Sequence, residues 1–173
     1  MSIPDWHEEP VAKGHDREAF DCGDEALNQF LRNHARKAHE QASSKTFLSI
    51  SDGVDAKVLG YYSVCPAAID YERAPESIQK GLARHEVPVF RLARLAVHLD
   101  IQGRGHGGQL FMSAARRCFL ASTQAGGVAL LIDAKNVRVA EFYKTYGAIP
   151  LRDSPLSLLV PFKTLQKLLQ SGI

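Results

Sequence analysis

The run Gln102-Gly103-Arg104-Gly105-His106-Gly107-Gly108 constrains this chain more than any other stretch. An alternating apolar segment, Val89 to Val97, leads straight into it, and a helical pattern follows: Leu110, Phe111, Ala114, Ala115, Cys118, Phe119. Strand, glycine turn and helix together build a cradle for an anion. Glycine lets backbone N–H groups approach phosphate closely, and the positive end of the helix dipole adds attraction. A phosphate-bearing cofactor is the first expectation.

The glycines alone leave several readings. Gly103-x-Gly105-x-x-Gly108 fits the dinucleotide pattern, with Asp133 at a suitable distance for a ribose contact. That fold, however, carries its fingerprint in an early βα unit. Here about a hundred residues precede the loop without an obvious βαβ series. A turn with no ligand is the plainest alternative, but four glycines between 103 and 108 cost chain entropy without adding packing.

The same residues fit Q/R-x-x-G-x-G/A, through Gln102, Gly105 and Gly107. Downstream stand Ile132-Asp133-Ala134-Lys135-Asn136 and then Ala140-Glu141-Phe142-Tyr143-Lys144-Thr145-Tyr146-Gly147. In order and spacing, residues 89 to 150 resemble the GNAT acetyltransferase superfamily; one departure is Ala148, where an aromatic commonly follows the glycine. A narrower resemblance covers nearly the whole chain. Phe20-Asp21-Cys22-Gly23-Asp24-Glu25-Ala26-Leu27, Leu59-Gly60-Tyr61-Tyr62, Arg91 to Val97 and Pro155 to Pro161 are similar to the GNAT toxins of type II toxin–antitoxin pairs.

The resemblance implies one N-acetyltransferase domain over residues 1–173, of mixed α/β (α+β) class. Its sheet is expected to be mixed, mostly antiparallel, with splayed fourth and fifth strands and helices on both faces. It implies acetyl-CoA as cosubstrate, contacted by Leu95, Ala96, Val97, Gln102, Gly103, Arg104, Gly105, His106, Gly107, Gly108, Asn136 and Phe142. It implies acetylation of the amino group of aminoacyl-tRNA, an antitoxin partner of ribbon-helix-helix type, and a homodimer.

The rest of the chain is compatible with this. Its 173 residues, 45% hydrophobic and 23% charged, suit one domain with a real core. Met1–Asp16 is polar and lacks an apolar h-region, and no apolar run reaches the length of a membrane span. Cys22, Cys65 and Cys118 are scattered and lack C-x-x-C spacing, so reduced thiols in a cytoplasmic protein are expected. The seven histidines show no metalloprotease spacing, and no catalytic metal is expected.

Net charge is only +2, but its distribution is uneven. Lys80, Arg84, Arg91, Arg94, Arg104, Arg116 and Arg117 face only Glu86 and Asp100 between residues 80 and 117. Arg32, Arg36, Lys37 and Lys45 form a second basic stretch. Such faces suit phosphate chains, though a solvated helix face would look the same. Arg32, Arg36, Arg91 and Arg94 are the candidates for a tRNA backbone, with Arg91 and Arg94 on opposite faces of a regular strand.

Periodicity predicts a helix from Asp24 to about His39, a hairpin of Thr46–Ile50 with Val58–Cys65, and an irregular stretch between Pro66 and Pro75. Further helices are expected at Glu76–Arg84, Gly108–Ser122, Val137–Tyr146 and Phe162–Leu169. A break at Val87-Pro88 should precede the central strand, with later strands at Val128–Asp133, Ile149–Leu151 and Pro155–Val160.

For chemistry, the resemblance places Val97 where a backbone N–H would meet the oxyanion of a tetrahedral intermediate. It places Tyr143 as general acid for the leaving thiolate. A phenol with a pKa of about 10 is protonated at neutral pH and suits that task. Tyr143 could equally be a core aromatic, with Tyr146 as its fallback, and Asn136 could equally cap the following helix. His98 and Glu86 are candidate bases by type alone. Two other functions stay open: a GNAT enzyme acting on a protein or small amine, and an idle acetyl-CoA-binding module.

Overall fold

The structure, a computed structural model, describes residues 2–171. Its seven strands are β1 (Trp6–Pro10), β2 (Lys45–Ser51), β3 (Val58–Ile69), β4 (Val87–Val97), β5 (Ala129–Asp133), β6 (Ile149–Leu151) and β7 (Ser154–Pro161). They form one sheet in the order β1-β2-β3-β4-β5-β7-β6. β4 and β5 run parallel, while β1–β2, β2–β3, β5–β7 and β6–β7 are antiparallel. The expected mixed, mostly antiparallel sheet is therefore present. The β4–β5 ladder holds only from Phe90↔Leu130 to Leu92↔Ile132, although β4 runs on to Val97.

The chain divides into two compact units. The first contains the residues up to Cys65 and Ala93–Ala114; the second contains Pro66–Leu92 and the chain from Ala115 on. In the first unit, helix α1 (Glu25–Asn33) starts where Asp24 accepts from the N–H groups of Ala26 and Leu27. That cap satisfies two of the donors a helix start leaves open. Phe30 and Leu31 then pack with Phe20, Leu48, Ile50, Tyr61 and Ala96, with Leu27 against them.

The single helix expected up to His39 is in fact two. α1 stops, and α2 covers Ala35–Glu40, because His34 leaves helical geometry at φ −127°. Arg17 supplies a physical reason: its Nη1 donates to the carbonyls of Leu31 (3.0 Å) and Arg32 (3.1 Å). These are carbonyls that a continuing helix would use for its own ladder.

Gly60 on β3 has ordinary φ but no spare room. A Cβ there would sit 2.7 Å from the Ala96 carbonyl oxygen and 2.7 Å from Leu110 Cδ1. Buried Asn28 is bonded at both ends of its amide: Oδ1 accepts from Cys22 N–H at 2.9 Å, and Nδ2 donates to Asp21 Oδ1 at 2.9 Å. It ties the Asp21–Gly23 turn to α1.

In the second unit, Ile69, Ile78, Val87, Val89, Leu131, Leu151 and Leu159 form the core. Helix α3 is only Glu76–Gln79, shorter than expected, because Lys80 is extended and Gly81 takes φ +86°. β3 continues through Pro66, which was expected to open an irregular stretch. Its partner β2 ends at Lys45↔Val64, so no ladder donor is needed from Pro66 on that side. β4 begins before Pro88 rather than after it, and the Pro88 carbonyl accepts from Val128 N–H at 3.0 Å.

Helix α4 (His106–Ala125) runs from the first unit into the second. Helices α5 (Val137–Lys144) and α6 (Phe162–Gln170) follow. Gly147 ends the α5 region at φ +91°, with Gly147 N–H on the Lys144 carbonyl and Ala148 N–H on the Tyr143 carbonyl. A side chain at 147 would also strike Thr164 Cγ2 at 2.8 Å. The motif glycine is thus a helix stop.

Candidate active site

In the first unit, β4 ends at Val97 and a short 3-10 turn, Leu99–Ile101, leads into the glycine run. Gly103 (φ +77°) and Gly105 (φ +86°) are both left-handed, a conformation L side chains resist. α4 starts at His106, so Gly107 and Gly108 belong to its first turn rather than to the loop. A Cβ on Gly103 or Gly105 would meet nothing within 4 Å, and one on Gly107 only Val97 Cγ2 at 3.9 Å. The space over these residues is open, and the first turn of a helix presents N–H groups without intrahelical acceptors.

The side chains of the loop do not all face outward. His106 is 1% exposed. Its Nε2 lies 2.8 Å from Ser49 Oγ and its Nδ1 lies 2.9 Å from Gln109 Oε1. The Ser49 hydroxyl donates to the Gly60 carbonyl at 3.3 Å and has a single hydrogen, so its contact with Nε2 does not by itself set the tautomer. Burial lowers the imidazole pKa, only partly offset by Gln109, so the ring is held neutral. Trp6 of β1 meets this ring edge-on, with centroids 5.0 Å apart. His106 can therefore offer a ligand its backbone, not its ring.

Gln102 donates from Nε2 to the carbonyls of Cys22 (2.8 Å) and Val97 (2.8 Å). Arg104 Nη1 lies 3.5 Å from the Ser2 carbonyl. Leu95 and Val97 are half-buried and Ala96 is buried. His98 spends both ring nitrogens on backbone. Nδ1 accepts from Asp100 N–H at 3.1 Å, and Nε2 faces the Ala19 carbonyl at 3.3 Å. That bonding makes His98 a turn-forming residue in this structure. Glu86 is exposed in the second unit.

The second unit holds the aromatic motif. Asn136 caps α5, its Oδ1 accepting from Val139 N–H at 2.9 Å. Tyr143 is 6% exposed, and burial first, then Tyr146, pushes its phenol up to about 12. Phe142, 39% exposed, packs edge-on to Tyr143 at 5.1 Å and to Tyr146 at 5.5 Å. Asp133, at the end of β5, accepts from Ser157 Oγ at 2.8 Å, and Arg91 Nε stands 3.7 Å from its other oxygen.

The four candidate arginines are in different situations. Arg32 donates through Nη2 to the Phe20 carbonyl at 3.0 Å and stands 3.6 Å from Glu25. The Arg94 guanidinium lies 3.6 Å over the Phe30 ring. Arg36 makes a surface pair with Glu40 at 3.2 Å, and Arg91 faces Asp133. Ser49, Gln109 and Asn28, which hold the loop and the first helix, went unnoticed in the sequence. Short polar residues in a strand or helix carry no outward sign of which buried partner they serve.

No family model matches the chain. Characterised proteins and solved structures do, among them the following. A tRNA-acetylating toxin of Mycobacterium tuberculosis is 30% identical over 159 residues, covering 92% of this chain and 93% of that protein. AtaT complexed with acetyl-methionyl-tRNAfMet superposes with a TM-score of 0.88 at 31% identity, covering 95% of this chain and 99% of that one. A tyrosine-to-phenylalanine mutant of the toxin AtaT, bound to the C-terminus of the antitoxin AtaR and acetyl-CoA, gives a TM-score of 0.80 at 29% identity, covering 95% and 98%. Sheet order, left-handed glycine loop and capped aromatic helix thus sit in an acetyltransferase fold shared with these proteins. The chain belongs to the family of GNAT toxins that acetylate tRNA.

Proposed function

We propose that this chain, as one acetyltransferase domain, moves the acetyl group of acetyl-CoA to the α-amino group of an aminoacyl-tRNA. A blocked amine cannot attack in peptide-bond formation, so translation would stop. The observation that carries the reading is the pair of left-handed glycines, Gly103 and Gly105, set directly before a 20-residue helix with open space above them. It supports a pyrophosphate cradle in a chain whose relatives acetylate tRNA.

The steps follow from the thioester. The amine nitrogen attacks the acetyl carbon, and the carbonyl oxygen takes up charge. The Val97 N–H is the proposed donor to that oxygen. The C–S bond then breaks, Tyr143 gives its proton to sulfur, and the proton shed by nitrogen restores the phenol. Burial of Tyr143 favours the neutral phenol, so the group is loaded with its proton at every physiological pH. An α-amino group titrates at about 7.7–8.0 and a lysine amine at about 10.4, so the former needs far less help to become nucleophilic. With His98 committed to backbone, that difference favours an aminoacyl ester over a protein lysine.

Leu95, Ala96, Gly103 to Gly108, Asn136 and Phe142 remain the proposed surroundings of the cofactor, with Gln102, His106 and Asn136 acting chiefly through structure. Arg32, Arg36, Arg91 and Arg94 remain the proposed tRNA contacts, Arg36 and Arg91 having well-exposed side chains. A ribbon-helix-helix antitoxin, a homodimer and a cytoplasmic location belong to the same reading. The test is cell-free translation with and without acetyl-CoA, followed by mass analysis of the charged tRNA pool. Arrest that needs acetyl-CoA, with an acetyl mass added to aminoacyl-tRNA, is expected. Acetylation confined to free amines or to protein would replace this reading with an ordinary N-acetyltransferase.

A further inference from the structure

We infer that Gln102 is a positioning residue that acts only as a hydrogen-bond donor, pinning the end of β4 and the entrance of the glycine loop to the turn before α1. The inference rests on the acetyl-CoA reading above. Both neighbours of its terminal nitrogen are carbonyl oxygens, of Cys22 and of Val97, each at 2.8 Å. Two acceptors at that distance require two hydrogens, so the atom between them is the amide nitrogen and not the oxygen. The amide nitrogen is therefore spent on the protein's own carbonyls, although the residue itself is exposed.

Three pieces meet at this nitrogen. Val97 is the last residue of β4 and the proposed oxyanion donor. Gln102 itself opens the loop. Cys22 precedes Gly23, whose N–H bonds to Asp21 Oδ1 at 2.9 Å, in the turn that Asn28 anchors to α1. Release of the amide would free the peptide that follows Val97 and the loop start together. Position 102 then has one chemical requirement, a long side chain with at least two N–H groups. Glutamine and arginine meet it. Glutamate has the same shape but only acceptors, and its charge would face two carbonyl oxygens. Methionine has the length and no donor.

The experiment compares Gln102→Arg, Gln102→Glu and Gln102→Met with the unaltered chain by calorimetric titration of acetyl-CoA, with kcat and KM measured on the acetyl-accepting reaction. The expected pattern is affinity within about twofold for arginine. For glutamate and methionine it is a loss of about tenfold, the scale of two ordinary hydrogen bonds. Turnover at saturating acetyl-CoA should fall with glutamate and methionine, since Val97 is freed as well, and be kept with arginine. Circular dichroism reports whether each variant is folded; if glutamate is not, methionine decides. Equal affinities for arginine, glutamate and methionine, or loss with arginine and retention with glutamate, would overturn the inference. An unaltered chain that does not bind acetyl-CoA would instead overturn the cofactor reading on which it stands.

Discussion

The ring of His106 and the hydroxyl of Ser49 are 2.8 Å apart, and they join the first residue of α4 to the middle of β2. Ser49 also donates to the Gly60 carbonyl at 3.3 Å, so the pH dependence expected here comes from burial of the ring, not from the direction of this contact. Burial lowers the His106 pKa in the folded state below its unfolded value near 6.5. The unfolded chain therefore binds the proton more readily. Stability from His106 should be full above about pH 6.5 and be lost as pH falls through that value toward the folded pKa. Urea unfolding of the chain and of His106→Gln, compared from pH 8 to pH 5, checks this. The difference between them should shrink on the acid side. His7 works in the opposite sense. Bonds to Asp52 and Glu9 raise its pKa, so its contribution is present at low pH and fades as pH rises. Comparison with the variant, rather than the raw profile, isolates His106.

Tyr143→Phe removes one hydroxyl and leaves the buried ring. Turnover should fall by about 10²–10⁴ with acetyl-CoA affinity little changed. The phenol titrates at about 12, so the pH profile of kcat from 7 to 10 should show no alkaline fall from this group. An alkaline limb lost in the phenylalanine variant would contradict the assignment, as would wild-type turnover in that variant.

The two loop glycines should separate in their effects. Gly107 has ordinary φ and room for a side chain, so Gly107→Val is expected to keep its Tm and lose acetyl-CoA binding. Gly105 sits at φ +86°, so Gly105→Val should lose both. Differential scanning calorimetry beside titration calorimetry distinguishes them. Unchanged affinity in a folded Gly107→Val chain would remove the pyrophosphate from this turn.

Arg36 and Arg32 should likewise part company. Arg36 makes only an exposed pair with Glu40, so Arg36→Gln should leave stability within about 0.5 kcal/mol. If it meets a phosphate, the log–log salt slope of tRNA binding should drop by about 0.7–0.9. Arg32 holds the Phe20 carbonyl, so Arg32→Ala should destabilise the fold by about 1–3 kcal/mol whatever tRNA does. An unchanged slope for Arg36→Gln would place the RNA elsewhere.

Much of the fold could be read from local pattern. The β4, loop and α4 succession, the hairpin of β2 and β3 and the strand Ile149–Leu151 all follow from residues near one another in the chain. What escaped depends on distant partners. The break at His34 comes with Arg17, which lies 14 residues before the Leu31 carbonyl it occupies. β1 is five residues of mixed polarity whose strand character comes from pairing with β2, from Trp6↔Ser51 to Pro10↔Phe47. The same holds for the candidate site. The motif located the loop and the aromatic helix, but not that His106 turns inward, that Gln102 faces two carbonyls, or that Arg32 serves the backbone of residue 20.

Gly60 carries one more consequence. Every single-base change of a glycine codon that still encodes an amino acid, unless it is silent, adds at least one carbon, and here that carbon would collide with the Ala96 carbonyl and with Leu110. A cell burdened by a chain that arrests its own protein synthesis survives by breaking that chain. If the chain arrests translation as proposed, lesions at Gly60 should recur among colonies that outgrow such a burden, because the genetic code leaves this crowded position no harmless neighbour.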